Sequence, residues 1–221
     1  MFDTAAAGSA SLLFIAGIGL AGMGLGLLAD AVVRRVLPQL AGTSARWTKI
    51  TTAAVTLVLS ALLAWRFGAA AELPAYLVLA VVGVQLARID LLHHLLPNRM
   101  VFPLLGAGLL LLSVSAVGAG EAGSLVRGAA GAIILFALYL ILALTSGNGL
   151  GMGDVKLAAP LGLYLGYLGW PQLFYGGALG FVAGGLASVV LVVKNRGNKP
   201  REVAYGPSML AAGLAVILLL R

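Results

Sequence analysis

Cysteine is absent from this sequence and charge is scarce: only 10% of its 221 residues are charged, seven residues are acidic, and histidine occurs twice. The missing cysteine excludes a disulfide framework, a thiolate metal site and a cysteine nucleophile. So little charge excludes the solvated surface of an ordinary soluble domain. What fills the chain instead is apolar, 61% by residue with a mean hydropathy of +1.07, together with 31 glycines. Such a composition belongs in a bilayer, as an all-α polytopic bundle of transmembrane helices that approach one another closely through small side chains. The net charge of +7 does not here point to nucleic acid, because in a membrane chain basic residues first report which connections stay inside.

Apolar runs long enough to cross or nearly cross a hydrocarbon core lie at roughly 8–29, 50–67, 73–88, 99–118, 124–145, 154–170, 173–193 and 205–220, which makes about eight spans. The run at 154–170 is interrupted by glycine and proline and several others are short, so tilted or re-entrant segments would reduce the count to six or seven. Basic residues gather in alternate connections: Arg34, Arg35, Arg46 and Lys49, then Arg88 and Arg99, then Lys156, then Lys194, Arg196, Lys199 and Arg201. The opposite connections hold Arg66, Arg127 and Arg221 beside Asp3, Glu72 and Glu121. The positive-inside rule therefore places both termini outside and the basic connections in the cytoplasm. The first run lacks a basic stretch before it and continues to Arg34 and Arg35, so it reads as a retained span rather than a signal peptide. No soluble domain, coiled coil, low-complexity tail or internal repeat stands out. The expectation is one membrane-embedded domain over 1–221, with 30–49 as a short cytoplasmic loop and four basic residues of 194–203 available to anionic lipid.

Five of the seven acidic residues sit where solvation or a helix end accounts for them: Asp3, Asp30, Glu72, Glu121 and Glu202. Two remain. Asp90 follows an apolar stretch in "RIDLLHHLLPNRMVFPLL", and Asp154 opens an apolar helix in "GNGLGMGDVKLAAPLG". The topology puts the segments 89–98 and 146–154 at the cytoplasmic edge of the membrane. A lone carboxylate there has two readings, an N-cap or interface charge on one side and a functional group on the other.

The flanking residues bear on that choice. Glycines at 147, 149, 151 and 153 let the backbone before Asp154 approach another segment closely, although Gly-rich hinges between spans also have ordinary structural uses. The spacing is neither that of a phosphate-binding loop nor that of a dinucleotide fingerprint. His93 and His94 lie one helical turn from Asp90, which raises a metal site, but no further histidine, cysteine or carboxylate cluster completes a shell, so no metal and no cofactor is expected. Pro97 limits any helix before Asn98 and Arg99. Two carboxylates brought together from different spans form a chemical unit of their own. They do not both ionise easily, so one holds a proton, and the pair can deprotonate a water while polarising a peptide carbonyl.

The segments that carry these residues resemble a family. "IDLLHHLLPNRMVFPLL" is similar to the first aspartate block of the bacterial type IV prepilin peptidases, membrane proteases of the GxGD class, and "GMGDVKLAAPLG" to their second, with Gly151, Gly153, Asp154 and Lys156 in register. "AYGPSMLAAG" at 204–213 resembles their late Gly-Pro segment, and the likeness runs over about residues 73–220 in family order. It implies cleavage of the leader of prepilins or pseudopilins at the cytoplasmic face of the bacterial inner membrane. Asp90 and Asp154 take the catalytic positions, and Gly151, Gly153, Lys156, Pro97, Asn98, Gly206 and Pro207 are substrate-binding or supporting. Lys156 biases Asp154 or contacts substrate in one reading and marks the cytoplasmic side in another.

Many relatives carry a cytoplasmic insertion with paired CxxC motifs between their first two spans, linked to N-methylation. The corresponding connection here is short and lacks cysteine, which implies a peptidase-only form. Three rival readings remain: a transporter or channel with intramembrane carboxylates near the midplane, a non-catalytic pilus or secretion assembly factor, and a preflagellin or signal-peptide peptidase.

Overall fold

In the computed structural model, which describes residues 11–40, 46–145, 150–194 and 204–220, eight α-helices follow one another in the order of the apolar runs. They are α1 (Leu12–Val36), α2 (Arg46–Phe67), α3 (Leu73–His93), α4 (Asn98–Ala119), α5 (Ala122–Thr145), α6 (Met152–Leu168), α7 (Trp170–Lys194) and α8 (Gly206–Leu219), with a short 3-10 turn at Pro38–Leu40. Each of the first five is long and apolar enough to cross a membrane, and α8 is a shorter apolar helix. The described residues contain no strand.

Helix ends differ from hydropathy ends. The first apolar run stops near residue 29, but α1 continues to Val36, because Asp30 is satisfied one turn on by the Arg34 guanidinium, whose Nε donates to its Oδ2 at 2.8 Å. Much of the stretch 30–49 expected as loop is therefore helical, and residues 41–45 of it lie outside the described part, as do Gly147, Gly149 and the basic residues after Lys194.

The chain clusters into two compact units, Met1–Gln85 and Leu86–Arg221. In the first, α1 lies against α2 through Gly22 and Gly26, where any Cβ would run into Ser60 and Thr56, and Gln85 Nε2 donates to the Gly26 carbonyl at 3.1 Å. That bond offsets the desolvation of the amide's donor side, while Gln85 Oε1 is buried without a hydrogen-bond partner.

In the second unit, α6 is the central helix, packed against α4, α5, α7 and α8 and buried over most of its length. Its 17 residues rise about 25 Å at 1.5 Å per residue, less than the roughly 30 Å of a hydrocarbon core. Packing against α4, α5 and α7, all of them longer, surrounds most of its length with protein. The closest approach is to α5: a Cβ on Gly162 would sit 2.2 Å from the Gly131 carbonyl oxygen, so only glycine permits the backbones to meet there. At the far end of α6, Arg127 of α5 donates from Nε to Gly166 O at 2.9 Å and from a terminal nitrogen to Tyr167 O at 2.8 Å. A cation on those otherwise unpaired carbonyls also complements the negative end of the helix. These contacts fix the axial position of α6, and with it the first turn, where Asp154 sits.

Candidate active site

Asp90 lies in the last turn of α3, where its carbonyl accepts from the His94 amide at 2.8 Å and the helix ends at His93. His94 then adopts a positive φ of 52°, an uncommon conformation for a residue with a side chain, and turns the chain towards Pro97, which precedes the first residue of α4. Asp154 lies in the first turn of α6, whose N-cap is Gly151 with extended backbone. Both aspartates are almost fully buried, at 4% and 5% exposure. Asp154 is within reach of the charge on Asp90, and the Gly206 amide faces both. That amide, at the first residue of α8, donates to Asp90 Oδ2 at 3.0 Å. Thus three stretches far apart in sequence supply two carboxylates and one amide to a single buried point.

The glycines of the site have steric reasons. A Cβ on Gly206 would stand 2.8 Å from Asp90 Oδ2, one on Gly151 would stand 3.1 Å from Asp154 Oδ2, and one on Gly153 would stand 2.9 Å from Leu96 Cβ. Leu96, buried between Gly153 and Gly206, is the side chain that fixes the spacing between the start of α6 and the start of α8. Gly153→Ala is accordingly expected to press on Leu96 Cβ and to destabilise the protein by about 1–3 kcal/mol, the ordinary cost of overpacking, read as thermal unfolding in detergent. In a Leu96→Gly background, which removes the crowded Cβ, the same change is expected to cost much less, and an unchanged stability in the single variant would dismiss the contact.

The other residues singled out from sequence divide into two groups. Lys156 Nζ donates to Asn98 Oδ1 at 3.1 Å, joining the starts of α6 and α4 at an exposed rim. Pro97 and Pro207 set helix starts, at the N-cap of α4 and in the first turn of α8. Sequence reading missed Leu96, for a leucine in a leucine-rich chain carries no signal. It also missed Tyr139 of α5, which is buried, donates to Gly177 O at 3.3 Å and lies within reach of the charge on Asp154. His93 Nε2 and His94 Nδ1 are buried without hydrogen-bond partners. Among the described residues no three His, Cys, Asp or Glu side chains converge as a metal site would require.

Comparison with known proteins gives a consistent picture. The profile of the type IV leader peptidase family matches residues 76–189. The prepilin leader peptidase/N-methyltransferase of Stutzerimonas stutzeri is 31% identical over 162 residues, 73% of this chain and 55% of that protein. The proteins of the same name from Aeromonas hydrophila and Neisseria gonorrhoeae are 34% and 32% identical, over 65% and 72% of this chain and 49% and 53% of theirs. The chain spans about half the length of the curated relatives it matches. No solved structure matches it.

Proposed function

We propose that this chain, which belongs to the type IV leader peptidase family, is a multi-pass membrane aspartic endopeptidase that removes the leader of prepilins or pilin-like proteins. The observation that carries this reading is the convergence of Asp90 and Asp154, both buried, around one backbone amide. Paired carboxylates activate water without metal or covalent intermediate. One carboxylate takes a proton from the water as its oxygen bonds to the scissile carbonyl carbon, and the other gives its proton to the carbonyl oxygen. The resulting diol collapses: the C–N bond breaks, the departing nitrogen takes the first carboxyl's proton, and the second recovers its own from a diol hydroxyl.

The basic residues Arg88, Arg99 and Lys156 flank the two aspartate segments, which favours a site at the cytoplasmic face of the bacterial inner membrane. There it meets the junction between a substrate's polar leader and its apolar helix. A transporter reading fits less well, since it places functional carboxylates near the midplane, whereas these stand in the last turn of one helix and the first turn of another. The connection between α1 and α2 is short and free of cysteine, so the reading is of a peptidase without the methyltransferase insertion.

The test is co-expression of the chain with a candidate prepilin, followed by N-terminal sequencing of the membrane-embedded product. Cleavage just before the apolar helix supports the reading, and an uncut or randomly cut product rejects it. Incubation of the purified protein with EDTA is expected to leave the rate unchanged; a loss restored by zinc would replace the two-carboxylate mechanism by a metal-dependent one.

A further inference from the structure

The two aspartates are not equivalent. Asp90 stands in the last turn of α3, where the negative end of the helix disfavours an anion, yet its Oδ2 accepts the Gly206 amide at 3.0 Å. A backbone amide only donates, so Asp90 Oδ2 meets it with a lone pair, and such a bond strengthens when the acceptor is charged. The amide also lies at the positive end of α8. Asp154 differs at one atom. The residue is 5% exposed, and the Gly151 and Gly206 backbone amides face its carboxylate at the start of α6, a position that favours an anion, yet its Oδ1 is buried with no hydrogen-bond partner. A bare buried carboxylate oxygen is costly, whereas a hydroxyl there, held ready for a substrate carbonyl, is far less so. The other titratable groups facing the pair are His94 beside Asp90 and Tyr139 beside Asp154. The first, when protonated, supports an anion on Asp90, and the second carries no charge at neutral pH. Lys156 is engaged with Asn98 at the rim.

We propose that the Gly206 amide is a positioning group that fixes the division of labour in the pair: it holds Asp90 as the carboxylate that receives the water proton, and leaves Asp154 as the acid whose Oδ1 hydroxyl meets the scissile carbonyl. This assignment rests on the peptidase reading for its chemistry but not for its test. Hydrolysis balances as above, with Asp90 in the first role and Asp154 in the second.

Infrared titration of the purified protein, following the neutral-carboxyl C=O band against pH, tests it without any substrate. In Asp154→Asn the remaining Asp90 is expected to titrate at least about one pH unit below the remaining Asp154 of Asp90→Asn, since a hydrogen bond to an ionised group is worth about one to two such units. Adding Gly206→Ala, whose Cβ would press on Asp90 Oδ2, is expected to move Asp90 upward by a similar amount in the Asp154→Asn background and to move Asp154 much less in the other. The amide I band of the same spectra reports whether each variant has kept its helices. If Asp154 titrates below Asp90, the roles are reversed. If Gly206→Ala moves neither group while the helices persist, the amide is only packing. Neither result would touch the peptidase reading, which the cleavage assay decides alone.

Discussion

Asp154→Asn or Asp90→Asn will, on the peptidase reading proposed above, lower cleavage of a prepilin-like substrate by about a thousandfold or more while leaving the protein folded in the membrane. Asparagine keeps the shape of aspartate and removes only its ability to exchange a proton, so the loss measures chemistry rather than packing. The structure makes the comparison clean at both positions. Asp154 Oδ1 has no partner to lose, and an asparagine at either position retains a carbonyl oxygen, for the Gly151 and Gly206 amides that face Asp154 and for the Gly206 amide that Asp90 Oδ2 now accepts. Because the two groups act in one transition state, the double variant will be scarcely worse than either single one. Single-turnover rates on a purified substrate, with expression and thermal unfolding as controls, give the answer. Cleavage by either variant at more than a tenth of the normal rate would show that its aspartate is structural.

Valine at position 162 will destabilise the protein by about 3 kcal/mol or more, at the upper end of the overpacking range. A Cβ there would stand 2.2 Å from the Gly131 carbonyl oxygen and 2.9 Å from the Ala132 Cα. Both obstacles are backbone, and no rotamer change relieves them. The α5 and α6 axes must part, which opens the tightest seam of the second unit and tilts the helix that carries Asp154. A matched control exists: a Cβ on Gly106 in α4 meets nothing within 4 Å, so Gly106→Ala will be neutral or mildly stabilising through helix propensity. Thermal unfolding in detergent separates the two, and a Gly162→Val protein as stable as wild type would mean that the close approach of α5 and α6 is not what holds them.

The order of the helices was legible because hydropathy separates them so sharply, but their roles were not. In an apolar chain both a lipid-facing helix and a buried one are apolar, so nothing in the composition of α6 marks it as the interior helix while α5 exposes Ile133, Ile134, Leu138 and Ile141. Helix ends were misplaced for a related reason. Charge stops a hydropathy run, yet Asp30 and Arg34 continue α1 by pairing along it. The two aspartates stood out because acidic residues are rare here and these had no simpler use. Gly206 was different: the sequence pointed to it only through a resemblance, since its contribution is a main-chain N–H that every residue but proline possesses. The side chain it lacks is what lets that N–H come close to Asp90. Leu96 and Tyr139 were invisible on both counts, each an ordinary residue made particular by what surrounds it.

The bond from Gly206 to Asp90 joins positions 116 residues apart, and synthesis proceeds from one to the other. A growing chain carries Asp90 at the end of α3 and Asp154 at the start of α6, but the amide that meets Asp90 arrives only with α8. On the proposed peptidase reading, the two carboxylates stand through most of synthesis without their finished setting, and the making of α8 is the event that arms them.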